Sequence, residues 1–145
     1  LHSKKKFYQP NKQTMKSAAI FHWGLRLLAA LIMLQTLFFK FTAHEQSVAL
    51  FTQLSMEPWG RVGTGILELI ASLLILYPRT TGYGALMGLG LMSGAIFFHF
   101  TSLGLDFGGD YGLFLYAVIA WLCCAVLAWL YRAQFLHFFK TKTSI

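Results

Sequence analysis

Four long apolar runs, at residues 17–41, 61–77, 82–100 and 111–131, are separated by short polar breaks. A helix needs about 20 apolar residues to cross a hydrocarbon layer about 30 Å thick, and about 17 is the lower limit. The runs therefore predict four membrane-spanning helices, the second at that limit. A soluble core would interrupt such runs with charge every few positions. The first run follows a basic segment as a signal peptide would. It is too long for one, carries His22 and Arg26, and lacks a small-x-small cleavage site, so it is read as a retained helix.

The breaks carry their own pattern. Between His44 and Met56, Val48, Leu50, Phe51 and Leu54 alternate with Glu45, Gln46, Thr52 and Gln53 at helical spacing. That stretch is too short and polar to span, and predicts an interfacial amphipathic helix closed by Pro58, with Trp59 anchoring at headgroup level. Pro78, Arg79, Thr80 and Thr81 end the second span, and residues 101–110 form a glycine-containing loop with Asp106 and Asp110. Residues 1–16, basic and containing Pro10, read as a flexible or surface-lying tail. Residues 132–145, basic with Phe135, Phe138 and Phe139 interleaved, read as a C-terminal tail that is a helix end resting on the membrane surface. The expected fold class is all-α: an integral membrane four-helix bundle with a short interfacial helix between its first two spans.

Composition supports the same solvent. Of 145 residues 57% are hydrophobic and 12% charged, with a mean hydropathy of +0.58. Too few polar side chains remain to coat a water-exposed globule. The net charge of +7 does not point to nucleic acid, because the basic residues sit at the chain ends and beside the apolar runs instead of forming a stripe interleaved with aromatics. Placing both termini in the cytoplasm puts nine of the twelve Lys and Arg residues inside, leaves Lys40 and Arg61 outside, and leaves Arg26 within the first span. That bias follows the positive-inside rule. Cys123 and Cys124 are adjacent, so they point about 100° apart on a helix and read as apolar filler. No haem-attachment or zinc spacing occurs, so no metal site is expected.

Ionisable groups inside a span are costly and need a partner, a wet cavity or a role. His22, Arg26, Ala29, Met33, Thr36 and Lys40 recur in steps of three and four, which makes one stripe along the first helix. Thr64, Glu68 and Ser72 form a polar row on the second. Arg26 is nine residues from Ser17 and Glu68 nine from Tyr77, each about 13 Å deep at 1.5 Å per residue. Equal depth predicts an Arg26–Glu68 ion pair, serving either to fix helix register or as a proton-linked or ligand-anchoring site. His99 falls about 15 Å further out than Glu68, too far for direct contact. Its expected neighbours are Lys40, His44, Asp106 and Asp110, an outer polar cluster in which it either caps helix carbonyls, bonds a loop carboxylate or serves as a ligand. Axial haem ligation would need two histidines at one depth, which only His44 with His99 could supply, and is disfavoured. Gly84 with Gly88, and Gly90 with Gly94, have GxxxG spacing; the first suits packing within the chain and the second could serve a partner subunit.

The order of these features resembles the DoxX-like family: Arg26 and Lys40 bracketing the first helix, Glu68 in GILELIASLLIL, PRTTGYGAL between the second and third helices, His99 in FFHFTSLG, and GGDYGLFLY entering the fourth. The resemblance covers about residues 20–130. It implies a four-helix protein of the bacterial cytoplasmic membrane, with Arg26, Lys40, Glu68 and His99 at polar positions typical of the family. Relatives include a quinone-reducing subunit of thiosulfate oxidation and small partners of redox or stress-response enzymes. Two functions are expected from this. One is a non-catalytic subunit that docks other membrane proteins, without a cofactor. The other is a redox component with quinone near Glu68 or His99, dependent on an outside electron carrier.

Overall fold

The computed structural model describes residue 9 and residues 11–142. The expectations on Lys4, Lys5, Lys6 and Pro10 lie outside the described residues. Helix α1 is Lys12–Phe41, α2 Glu45–Gln53, α3 Trp59–Leu76, α4 Thr81–Phe98, α5 Gly112–Leu130 and α6 Arg132–Lys142. A π-helical turn, His99–Leu103, continues α4, and a short 3-10 turn, Phe107–Gly109, precedes α5.

Local chemistry sets most boundaries. Asn11 caps α1, its Oδ1 accepting from Gln13 N, and no breaker follows, so residues 12–16 are helical where the sequence reading has a tail. Thr42 and Ala43, the latter at φ 52°, turn the chain out of α1. The imidazole of His44 caps α2. Pro78 lies just past the end of α3. Asp110 accepts from Gly112 N at 2.8 Å and puts its charge at the positive end of α5. The C-terminal stretch is helical as α6.

The packed helix pairs are α1 with α3, α3 with α4, α4 with α5, and α5 with α1. Successive spans thus close an antiparallel ring. One end holds the start of α1, the α3–α4 turn and α6; it is called the basic end, since Lys12, Lys16, Arg79, Arg132 and Lys140 are all exposed there. The other, the loop end, holds α2, the π turn and the α4–α5 loop. The core is built of small and flexible side chains, with Ala29, Ala71, Ala85, Ala120 and Cys124 fully buried and Met33 and Ile75 between them. Gly84 lies against α3 so closely that a Cβ would sit 2.6 Å from Ile75 N and 2.8 Å from the Ala71 carbonyl. Gly88 meets Cys124 Sγ in the same way. The first GxxxG pair therefore packs within the chain, where close backbone approach replaces the hydrophobic drive that hydrocarbon removes.

The outside is as apolar as the inside. Leu31, Phe38, Ile66, Leu73, Phe97, Leu115, Leu122 and Trp129 are exposed, and in water each would forgo about 1.5–3 kcal/mol of burial. Four helices, α1, α3, α4 with its π turn, and α5, are long and apolar enough to cross a membrane. With hydrocarbon as the neighbour, their exposed faces need no cover.

Candidate functional site

Stripe and row meet across the α1–α3 interface, but with different partners than equal depth predicts. Arg26, 2% exposed, does not reach Glu68. Its Nε donates to the Ile75 carbonyl at 2.8 Å, its Nη2 to the Leu76 carbonyl, and its guanidinium stacks 3.9 Å from the Trp23 ring. These carbonyls belong to the last turn of α3, where no helical N–H remains for them. Thr81 Oγ1 also reaches the Ile75 carbonyl and Thr80 Oγ1 the Leu74 carbonyl. Arg26 and the two threonines after Arg79 together close the negative end of α3.

Glu68 pairs with Lys40, Nζ to Oε2 at 2.5 Å. Thr36 Oγ1 lies 2.8 Å from the same carboxylate oxygen and 2.8 Å from the Met33 carbonyl, with Lys40 Nζ 3.3 Å away. Side-chain direction explains the correction. Helical side chains lean toward the N-terminus of their own helix. On α1 that sends Arg26 toward the basic end; on antiparallel α3 it sends Glu68 toward the loop end; and it brings Lys40 back down to the level of Thr36. Arg26 and Glu68 lean apart, whereas Lys40 and Glu68 lean together.

Between this cluster and the loop end lies a cavity of about 550 Å³. Met33, Thr36 and Lys40 of α1 and Thr64 and Glu68 of α3 form one side. Leu50 and Phe51 of α2, with Leu54 just past its end, roof it, and Leu113, Tyr116 and Ala117 of α5 lie opposite. Gly90, Gly94, Phe98 and His99 supply the α4 wall. Gly90 is exposed, and a Cβ on Gly90 or Gly94 would meet nothing within 4 Å. The cavity is therefore apolar over most of its lining, with an ion pair and the hydroxyls of Thr36 and Thr64 on one side and an imidazole at its mouth.

The expected outer cluster divides. Lys40 and His99 line the cavity, and His99 shares it with Glu68 without a hydrogen bond between them among the described residues. His44 is exposed, capping α2 and packing edge-on against Phe39. Asp106 and Asp110 are exposed in the α4–α5 loop, Asp110 engaged with α5. His44 and Asp110, which share a boundary with Lys40 and His99 in sequence, are thus spent on local caps, because each precedes a helix. Arg61 is buried beside the site, paired with Glu57 and donating to the Lys40 carbonyl. No three His, Cys, Asp or Glu side chains converge as a metal site among the described residues. Sequence reasoning missed the roof: α2 reads as a helix lying flat on lipid, and only its apolar face, Leu50, Phe51 and Leu54, hints at a covered space.

Together these features define a polytopic α-helical membrane protein with a polar-tipped apolar cavity under a short roof helix. The profile of the DoxX-like family matches residues 24–129, and the chain belongs to that family. No curated protein and no solved structure matches it.

Proposed function

We propose that this chain binds a lipid-soluble ligand of the quinone class in the cavity beneath α2, as a component of the bacterial cytoplasmic membrane with both termini in the cytoplasm. The observation that carries the reading is the Lys40–Glu68 pair with Thr36 in a largely apolar space of about 550 Å³. A quinone ring with its alkyl tail is apolar but for two oxygens, and a largely apolar pocket with a few convergent polar groups suits such a molecule. Lys40 has three N–H donors, of which Glu68 and Thr36 engage two, leaving one for a ligand oxygen. The exposed Gly90 in the cavity wall supports entry from the side of the bundle that faces lipid.

The test is titration of the purified chain in lipid nanodiscs with decylubiquinone. Saturable one-to-one binding is expected, weakened about tenfold or more by Thr36→Val together with Lys40→Met and Glu68→Leu, since the apolar replacements remove the ion pair and the hydroxyl bonded to it. A chain that binds no decylubiquinone but retains a stoichiometric membrane partner supports the subunit reading instead. The open surface at Gly90 and Gly94 favours that second reading, because no described residue lies within 4 Å of a Cβ placed there.

Orientation rests on the charge bias, with Lys12, Lys16, Arg79, Arg132 and Lys140 of the basic end facing the cytoplasm. Single cysteines at Arg79 and Asp106, both exposed, placed in a chain lacking Cys123 and Cys124, should label with a membrane-impermeant maleimide from opposite sides. Arg79→Cys should react only after the membrane is opened, and Asp106→Cys in intact cells. The reverse pattern would invert the topology.

A further inference from the structure

His99 begins the π turn after α4, and its Nδ1 lies 2.8 Å from the Gly104 carbonyl oxygen. A carbonyl oxygen only accepts, so Nδ1 carries a proton. In the neutral ring the lone pair therefore stands at Nε2. The contact depends on Gly104, whose φ of 78° and ψ of 164° fold the chain back over the turn in a conformation open to glycine. Phe114 packs edge-on against the imidazole at 5.6 Å and holds the ring in place. His99 is 5% exposed, yet among the described residues no buried side-chain nitrogen or oxygen is both sealed off and unpartnered. No described hydrogen bond engages Nε2, so this atom is not sealed off, and His99 lines the cavity.

We propose that His99 is a specificity-determining residue that makes the site prefer the dihydroxy form of a quinone-class ligand to the dicarbonyl form. The inference rests on the ligand class proposed above. A quinol hydroxyl donates to an Nε2 lone pair; a quinone oxygen carries only lone pairs and leaves Nε2 without a bond. The Lys40 ammonium donates to the oxygens of either form and does not discriminate. The Glu68 carboxylate is a second acceptor in the lining but already accepts from Lys40 and Thr36, so the discrimination falls mainly to His99, whose other ring nitrogen has its proton claimed by the Gly104 carbonyl. Preference of this kind comes from a buried polar atom left unpaired by the wrong ligand, which is a larger effect than the gain of one bond.

The full chain in nanodiscs is titrated with decylubiquinol under reducing, oxygen-free conditions and with decylubiquinone. Quinol is expected to bind about tenfold or more tightly. His99→Asn places an amide nitrogen where Nδ1 stands, so the bond to Gly104 is kept and Nε2 is lost. That variant should bind both forms with the affinity the wild type has for decylubiquinone. A purely structural role for His99 would leave the ratio untouched. Equal affinities in the wild type, or a preference that survives His99→Asn, would overturn the proposal. A second readout needs no variant: the nitrogen NMR signal of His99 Nε2 should move with decylubiquinol and not with decylubiquinone, and the opposite response would also overturn it. If the wild type binds neither form, the quinone-class reading of the cavity fails, and this inference with it.

Discussion

Glu68→Leu is expected to lower the stability of the bundle by about 3–5 kcal/mol, and Lys40→Met by a similar amount, while the double substitution returns it to within about 1 kcal/mol of wild type. The two side chains are 8% and 13% exposed and bonded to each other at 2.5 Å. Removing either partner strands a charge in an apolar cavity, and the stranded charge, not the lost attraction, sets the cost. Replacing both with apolar side chains of similar volume removes the pair and its desolvation together. Thermal unfolding in micelles measures all four states of the cycle. Losses that simply add would show that Lys40 and Glu68 do not interact. The companion cycle of Arg26→Leu with Glu68→Leu should be additive, because Arg26 spends its guanidinium on the Ile75 and Leu76 carbonyls. A coupling between those two would restore the ion pair that equal depth predicts.

Gly84→Ala should cost about 1–3 kcal/mol or more and Gly90→Ala nothing, although both substitutions are chemically identical and lie six residues apart on one helix. At Gly84 the new methyl would fall within 2.6–2.8 Å of Ile75 N, Leu74 Cβ and the Ala71 carbonyl. Two of those atoms are backbone and cannot turn aside, so α3 and α4 must separate. At Gly90 the methyl meets nothing within 4 Å, and alanine's higher helix propensity favours it by up to about 1 kcal/mol. Unfolding of the two variants in the same micelles is the check. Equal losses would mean that the α3–α4 contact at Gly84 is not what holds these helices together. A large loss at Gly90 alone would mean that a partner, a second copy or another subunit, covers that face.

The contrast between these positions shows what a single chain's pattern conveys. GxxxG spacing marks Gly84 with Gly88 and Gly90 with Gly94 alike. The same spacing is used once to join helices and once to leave a cavity wall open. The difference lies in which face each pair occupies: Gly84 and Gly88 are buried against α3 and α5, whereas Gly90 is exposed and Gly94 half-buried.

Span number and most turn positions are properties of local composition, because hydrocarbon thickness fixes how many apolar residues a crossing needs. The inward stripe on α1 is legible for a similar reason: helical period alone puts His22, Arg26, Ala29, Met33, Thr36 and Lys40 on one face. Of these, Arg26, Ala29 and Met33 are buried and the other three half-buried. The start of α1 at Lys12 was hidden because its first turns are polar, and apolar run length is blind to a helix that continues into water.

Partner choice was not legible, and the reason is geometric. A polar stripe on each of two helices is compatible with several axial offsets, and one turn of about 5.4 Å exchanges one partner for another. Matching depths along the backbone ignores the lean of side chains, which on antiparallel helices carries Arg26 and Glu68 in opposite directions. The cavity is likewise a product of packing: α2 becomes a roof only once Leu50, Phe51 and Leu54 lie over the space between α1, α3, α4 and α5. Composition and period told where the bilayer runs and which face of each helix turns inward. The folding of the helices against one another chose Lys40 for Glu68, the end of α3 for Arg26, and the cavity for His99, since those choices depend on offset, lean and closure that no stretch of chain encodes alone.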